Sequence, residues 1–164
     1  MAAMIPRSDI VGLIDILRSK GCTVSTAESC TGGLISSNIT AIPGSSDVFL
    51  GGAVTYSNQS KVSILGVSQS TLEAHGAVSE ETAREMVKGA VDVFGSDYAV
   101  AVTGIAGPGG ATPEKPVGLV YIAVADGPRI VVTKNNFSGD RDAVRESTVK
   151  EAVSLLKDMV EGRL

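Results

Sequence analysis

Val24-Ser25-Thr26-Ala27-Glu28-Ser29-Cys30-Thr31-Gly32-Gly33-Leu34-Ile35 is the stretch from which the rest of this chain is read. It opens as a short strand-like run of β-branched and small residues and turns through polar residues and two glycines. It then enters Leu34-Ile35-Ser36-Ser37-Asn38-Ile39, which reads as a helix. A strand that runs straight into a helix through small polar residues gathers backbone N–H groups and hydroxyls at one point. Such a point can hold an anion or present a nucleophile. The same turn also serves as a plain strand–helix connection, and the choice between the two rests on the remaining segments.

Upstream, Pro6 opens a helix in which Ile10, Leu13, Ile14 and Leu17 repeat at helical spacing, and Lys20-Gly21 stops it. The first strand covers about Cys22 to Ala27. Downstream, Ile42-Pro43-Gly44-Ser45-Ser46 is a loop, and Val48 to Tyr56 is a second strand with Gly51-Gly52 inside it. That pair marks a bulge or something packed closely on the backbone. Ser57 or Asn58 caps a short helix through Lys61 and Leu65. Ser68 or Ser70 begins another toward Ala74, closed by His75-Gly76. Ser79 is the N-cap of a helix reaching Phe94, with Ala83, Met86, Val87, Ala90 and Phe94 on one face.

Tyr98 to Thr103 is almost uninterrupted in its apolar character, as suits a central strand buried on both faces. A glycine- and proline-punctuated loop follows, from Thr103-Gly104 to Pro113. Val117 to Ala125 and Ile130 to Phe137 are strands joined by Asp126-Gly127-Pro128, a connection short enough to require an antiparallel pair. The last helix runs from about Arg141 to Glu161, with Ala143, Val144, Thr148, Ala152, Leu155, Leu156 and Met159 as its inner stripe. This order predicts a three-layer α/β domain with a mixed sheet, mostly parallel at first and with one of the last pair reversed.

At 164 residues the chain is expected to form one domain, residues 1–164, with a real core. Apolar residues make up 43% and charged residues 20%, within the range of soluble globular proteins. No apolar run is long enough to span a membrane, and the start lacks a signal peptide's order, so no membrane association is expected. With 14 Lys and Arg against 18 Asp and Glu the net charge is −4, and no basic run offers a surface for nucleic acid. Cys22 and Cys30 fall at the two ends of an extended segment, too far apart to bridge, and isolated thiols fit a reducing cytoplasm. With His75 the single histidine, a His-based zinc site is implausible, and no acidic cluster suggests magnesium.

In a parallel sheet the ligand crevice lies beyond the carboxyl ends of the strands. Three strand ends here carry polar, glycine-bearing segments: the Ser29 turn, the stretch from Thr55 to Lys61, and the Thr103 loop. Ser29 needs a base to become a nucleophile. Lys61, five residues past Tyr56, can fold back toward the strand end, and a lysine of lowered pKa can serve as that base with a tyrosine as relay. The plainer alternative leaves Lys61 snorkelling from a surface helix and Tyr56 in water. Cys30 is the rival nucleophile, since a helix N-terminus would lower its thiol pKa. His75 reads as a helix-end residue. Neither glycine run matches a nucleotide-binding fingerprint.

Six stretches carry a resemblance. They are Thr26-Ala27-Glu28-Ser29-Cys30-Thr31-Gly32-Gly33, Gly52-Ala53-Val54-Thr55-Tyr56-Ser57-Asn58, His75-Gly76-Ala77-Val78-Ser79, Val102-Thr103-Gly104-Ile105-Ala106-Gly107-Pro108-Gly109-Gly110, Pro113-Glu114-Lys115-Pro116-Val117-Gly118 and Phe137-Ser138-Gly139-Asp140-Arg141. Together they resemble the CinA C-terminal domain family, the competence/damage-inducible proteins that include nicotinamide mononucleotide deamidase. The resemblance implies an α/β/α sandwich whose five-stranded mixed sheet has order 2-1-3-4-5, with strand 4 antiparallel. It implies an amidohydrolase that converts nicotinamide mononucleotide to nicotinate mononucleotide and ammonia, with Ser29 as nucleophile and Lys61 and Tyr56 as general-base pair. Substrate-binding positions would be Glu28, Cys30, Thr31, Gly32, Gly33, Thr103, Gly104, Arg141 and Arg145. The backbone N–H groups of Cys30 to Gly33, or of the Thr103 loop, are candidates for the oxyanion.

Many members carry this domain behind one that resembles molybdopterin-binding proteins, for which the 164 residues leave no room. No metal or organic cofactor is implied. The expected partner is the small-molecule substrate, with self-association into a homo-oligomer possible. Two rivals stay open: a non-catalytic nucleotide- or protein-binding module of the same fold, and a Cys30-dependent hydrolase.

Overall fold

The computed structural model describes residues 6–164; the readings that concern residues 1–5 lie outside it. Helix α1 (Arg7–Lys20) follows Pro6 and ends at Gly21, which takes a left-handed conformation (φ 65°). Strand β1 (Val24–Glu28) is buried throughout and passes through the glycine turn into α2 (Leu34–Thr40). It starts later than the sequence predicts because the Thr23 N–H donates to the Asp97 carboxylate (2.8 Å) instead of to a neighbouring strand. The expected loop after α2 contains one 3-10 turn, Ser45–Asp47.

The chain continues with β2 (Phe49–Val54), α3 (Asn58–Leu65), α4 (Gln69–His75) and α5 (Glu80–Phe94). Then come β3 (Tyr98–Gly104), β4 (Leu119–Asp126), β5 (Arg129–Asn136) and α6 (Arg141–Val160). Four helices begin alike. Ser57, Ser68, Ser79 and Asp140 each accept, through a side-chain oxygen, the N–H three residues on. This satisfies one of the donors that every helix start leaves free.

The five strands form one sheet in the order β2-β1-β3-β4-β5. β1 runs parallel to both neighbours, and β4 is antiparallel to β3 and β5, as the Asp126-Gly127-Pro128 turn demands. Gly51-Gly52 does both things expected of it. The register slips so that Val24 faces Phe49 while Ser25 faces Gly51, which leaves Leu50 as the extra residue. A Cβ on Gly52 would stand 2.1 Å from Thr26 Oγ1 and 2.6 Å from Ser36 Oγ. Those two hydroxyls are joined at 2.8 Å, so only a glycine lets β2 lie over them.

Helices α1, α2 and α6 pack over Val24, Val100, Val102, Val120, Ile122 and Val124 on one face of the sheet. Helices α3, α4 and α5 pack over Ala27, Ala53, Ala99, Ala101, Ala123 and Ala125 on the other. Alternate residues of each strand supply the two faces, so β3 gives valines to one and alanines to the other. The alanine face lets α5 approach closely, and at Gly89 an added Cβ would sit 2.1 Å from Leu65 O of α3. Across the sheet, α1 and α6 lie side by side, and Asp9 near the start of α1 shares a cleft of about 220 Å³ with Lys157, Asp158, Glu161 and Arg163.

Candidate active site

β1, β2 and β3 end together, with Glu28 opposite both Val54 and Val102. Just beyond, Ser29 donates its N–H to Val102 O (3.2 Å), and the chain turns through Gly32 and Gly33, both at positive φ (59° and 102°). The Glu28 side chain is directed away from this crevice. Its fully buried carboxylate accepts from Thr31 Oγ1 (2.6 Å), Ile35 N–H (2.8 Å), and Ser36 N–H (3.0 Å) and Oγ (2.7 Å). A carboxylate so occupied ties the strand end to the first turn of α2, where the helix dipole also favours it. Glu28 is therefore corrected from a substrate contact to the brace of the turn. Thr31 belongs to the same brace.

Lys61 closes the site from α3. The Ser57 cap sets the first turn of that helix, and Lys61 points back across the strand ends at 1% exposure, the largest fully buried side chain among the described residues. Its Nζ lies 2.7 Å from Thr55 O, 3.0 Å from Ser29 Oγ and 3.4 Å from Tyr56 O. No carboxylate forms an ion pair with it among the described residues. Burial depresses its pKa below the usual lysine value of 10.5, opposed by the charge the Cys30 thiol can carry. The surroundings suit either protonation state. An ammonium finds three acceptors, whereas a neutral amine keeps its two N–H bonds to the carbonyls and turns its lone pair to the Ser29 hydroxyl.

Lys61 thus reaches Ser29 directly. Tyr56 contributes its main-chain carbonyl to Lys61, while its phenol stands 62% exposed at the cleft mouth and accepts a hydrogen bond from Arg141 Nη2 (3.1 Å). A relay through the Tyr56 hydroxyl is not in the geometry. Cys30 also departs from expectation. Its thiol is tucked into the valine-side core, and burial above all raises its pKa to about 11, with the Glu28 charge adding to the rise. Desolvation outweighs whatever the start of α2 offers, and the thiol stays protonated near neutral pH.

The cleft holds about 210 Å³ and is lined by Ser29, Cys30, Tyr56 and Lys61. Ala77, Val78, Thr103, Gly104, Ala106 and Arg141 complete the lining. Thr103 is nearly sealed from solvent and its hydroxyl donates to Ala77 O (2.8 Å), which pins the loop before α5 against β3. Gly104 is a close approach, since a Cβ there would meet Leu119 O at 2.7 Å. Arg141 donates to Gly107 O (2.7 Å) as well as to Tyr56, bridging the mouth. Arg145 donates instead to Thr31 O (2.9 Å), so it grips the glycine turn from behind and is not among the lining residues. Neither arginine forms an ion pair with Asp142 or Glu146, the alternative that α6 offers.

Ala77, Val78 and Ala106 were not singled out as site residues in the sequence. The signal for the first two lay in the His75-Gly76-Ala77-Val78-Ser79 stretch, which reads locally as a helix end and a cap. His75 itself faces Glu81, Nδ1 3.7 Å from Oε2, outside the cleft. Among the described residues no group of three or more His, Cys, Asp or Glu stands close enough to hold a metal ion, and no helix is long and apolar enough to cross a membrane.

The family profile described as CinA C-terminal domain matches residues 10–160. A putative competence-damage inducible protein from Caldanaerobacter subterraneus subsp. tengcongensis is 49% identical over 151 residues, which are 92% of this chain and 37% of that protein. A CinA-like protein from Citrifermentans bemidjiense is 53% identical over 142 residues, 87% of this chain and 34% of that one. The chain thus spans little more than a third of the length of these relatives. Among solved structures, the competence/damage inducible protein CihA from Agrobacterium tumefaciens superposes with a TM-score of 0.92 at 41% identity, covering 97% of this chain and 99% of that one. A CinA superfamily protein from Klebsiella pneumoniae gives the same TM-score of 0.92 at 32% identity, covering 95% and 98%.

Proposed function

Because this chain belongs to the CinA C-terminal domain family, we propose that it is an amidohydrolase acting on nicotinamide mononucleotide. Ser29 is the nucleophile and Lys61 the general base. One observation carries the reading: a buried lysine without a carboxylate partner stands 3.0 Å from a serine hydroxyl at the convergence of three strand ends. A lysine kept for its charge has no reason to lie there, because burial makes that charge costly.

In this reaction neutral Lys61 takes the Ser29 proton while Oγ bonds to the amide carbon. The Cys30 N–H follows Ser29 directly and donates to no backbone carbonyl among the described residues, so it is the candidate donor to the oxyanion. The C–N bond breaks, Lys61 returns its proton to the leaving nitrogen, and ammonia departs. Water then surrenders a proton to Lys61 and attacks the ester, releasing the acid and restoring Ser29. A cleft of about 210 Å³ is smaller than the roughly 300–1,000 Å³ usual for a drug-sized ligand. It accommodates the reacting ring and leaves the phosphate near Arg141 at the mouth. Two unbridged thiols suit a reducing compartment, and we assign the protein to the cytoplasm on that basis.

The test is ammonia release from nicotinamide mononucleotide in the presence of a chelator, with Ser29→Ala and Cys30→Ala beside wild type. The expected result is activity with chelator present, none in Ser29→Ala and a substantial remainder in Cys30→Ala. A dead Cys30→Ala with an active Ser29→Ala overturns the nucleophile assignment in favour of a thiol enzyme. Ligand binding without ammonia release returns the chain to a binding module.

A further inference from the structure

The deamidated product differs from the substrate by one group, a carboxylate where the amide stood. That carboxylate is formed at the end of Lys61, inside the cleft. The proton count follows from the chemistry. Hydrolysis of the ester yields a carboxylic acid that ionises near neutral pH, and the nearest base is the Lys61 amine, 3.0 Å from the oxygen that has just left. The turnover therefore closes on a buried ammonium beside a carboxylate.

The free enzyme offers that ammonium no other anion. The groups around it come from several elements. Cys30 in the turn holds a protonated thiol, and Glu28 below the turn is saturated by four donors. Tyr56 after β2 presents a carbonyl, and α5 faces the sheet with Ala83, Met86 and Val87. From α6 come two more cations, Arg141 and Arg145, both bonded to neutral acceptors. No Asp or Glu lines the cleft. A protonated Lys61 is thus a cation waiting for an anion, and an ion pair at that depth is screened little by salt.

Building on the amidohydrolase reading, we infer that the cleft with Lys61 protonated is a carboxylate site, so that the deamidated product inhibits its own formation more strongly as pH falls. The substrate is governed the opposite way, because its neutral amide gains far less from the ammonium than a carboxylate does and its turnover needs the amine. Acidification thereby stops the enzyme twice, by removing the base and by retaining the product. The same site takes other planar aromatic carboxylates that carry a phosphate at the far end.

The experiment is calorimetric titration of wild-type protein with nicotinate mononucleotide from pH 7.5 to 9.5. This range lies above the second phosphate ionisation near about 6, so that group does not contribute. Where Lys61 titrates, affinity is expected to fall by up to about tenfold per pH unit, and binding is expected to take up close to one proton, read from two buffers of different ionisation enthalpy. Lys61→Met is expected to lose the proton uptake. An affinity flat across the range with no proton uptake overturns the inference, as does a failure of the product to bind. Ammonia release from nicotinamide mononucleotide, measured on the same preparation, reports on the amidohydrolase reading separately. Proton-linked binding without any ammonia release would keep the carboxylate site and discard the reaction.

Discussion

Replacing Lys61 with arginine keeps a cation but removes the proposed base, because a guanidinium does not give up its proton in proteins. Lys61→Arg and Lys61→Ala are both expected to lose on the order of 10²-fold or more in kcat, typical of a missing general base. Near-normal turnover in Lys61→Ala would leave the residue a structural one. The two arginines of α6 separate in the same way. Arg141 lines the mouth, so Arg141→Ala is expected to raise KM for the mononucleotide and narrow its advantage over the riboside. Arg145 holds Thr31 O, so Arg145→Ala is expected to lower turnover of both substrates by a similar factor. An unchanged mononucleotide-to-riboside ratio of kcat/KM in Arg141→Ala would refute the phosphate assignment. Ser29 was legible because a serine at a strand end invites chemistry. The inward turn of Lys61 was one of two readings left open, since α3 shows no periodicity that marks one lysine as buried. Glu28 misled for a related reason: its type suits a crevice, and only the fold shows it turned beneath α2.

Helix α2 spans seven residues, too few to hold itself, and its first turn is fastened from outside by the Glu28 carboxylate. All four partners of that carboxylate are donors. Glu28→Gln keeps the shape but sets an amide donor against one of them, and hydrogen bonds to a charged group are each worth roughly 1.5–3 kcal/mol. The variant is expected to lose about 2 kcal/mol or more in urea unfolding, and with it much of its turnover. An unfolding midpoint equal to wild type would show that the brace is dispensable. At this scale the sequence was most informative. The capping serines, the Gly51-Gly52 pair and the tight turn before β5 each have a local cause, and each element they mark is present. The boundaries that moved did so through contacts distant in the chain, such as Asp97 on Thr23.

Lys61 and Cys30 contribute to the pH dependence of the whole molecule's stability with opposite signs, and the raised Tyr98 phenol acts in the same direction as Cys30. Lys61 has a folded pKa below 10.5, so between the two values the unfolded chain binds more protons and stability rises with pH. The penalty for its charge is complete below the folded pKa and vanishes above the unfolded one. Cys30 is raised from 9.0 to about 11, so its contribution is present below 9.0 and is lost as pH climbs toward the upper value. Denaturation midpoints are expected to rise with pH on approach to 9 in wild type, and to do so less in Lys61→Met. Beyond 9 the Cys30 loss is expected to appear in wild type and be absent in Cys30→Ala. Equal slopes in wild type and Lys61→Met would show that the lysine does not titrate in this window.

The side-by-side placement of α1 and α6 reaches further than packing. Asp9 and Arg163 border the same small cleft, and the β4–β5 turn also lies far from the catalytic crevice, since Asp126 pairs with Tyr98 at the beginning of β3 while Gly104 ends it. Covalent order and catalytic geometry are therefore separable. A circular permutant of residues 6–164 that joins Leu164 to Pro6 through a short flexible linker and opens at Gly127-Pro128 would leave every residue of the crevice where it is. Foreign domains could be threaded in at either place on the same grounds. Wild-type-like ammonia release from the permutant is the expected outcome, and loss of activity in a folded permutant would reveal that the far edge of the sheet tensions the site.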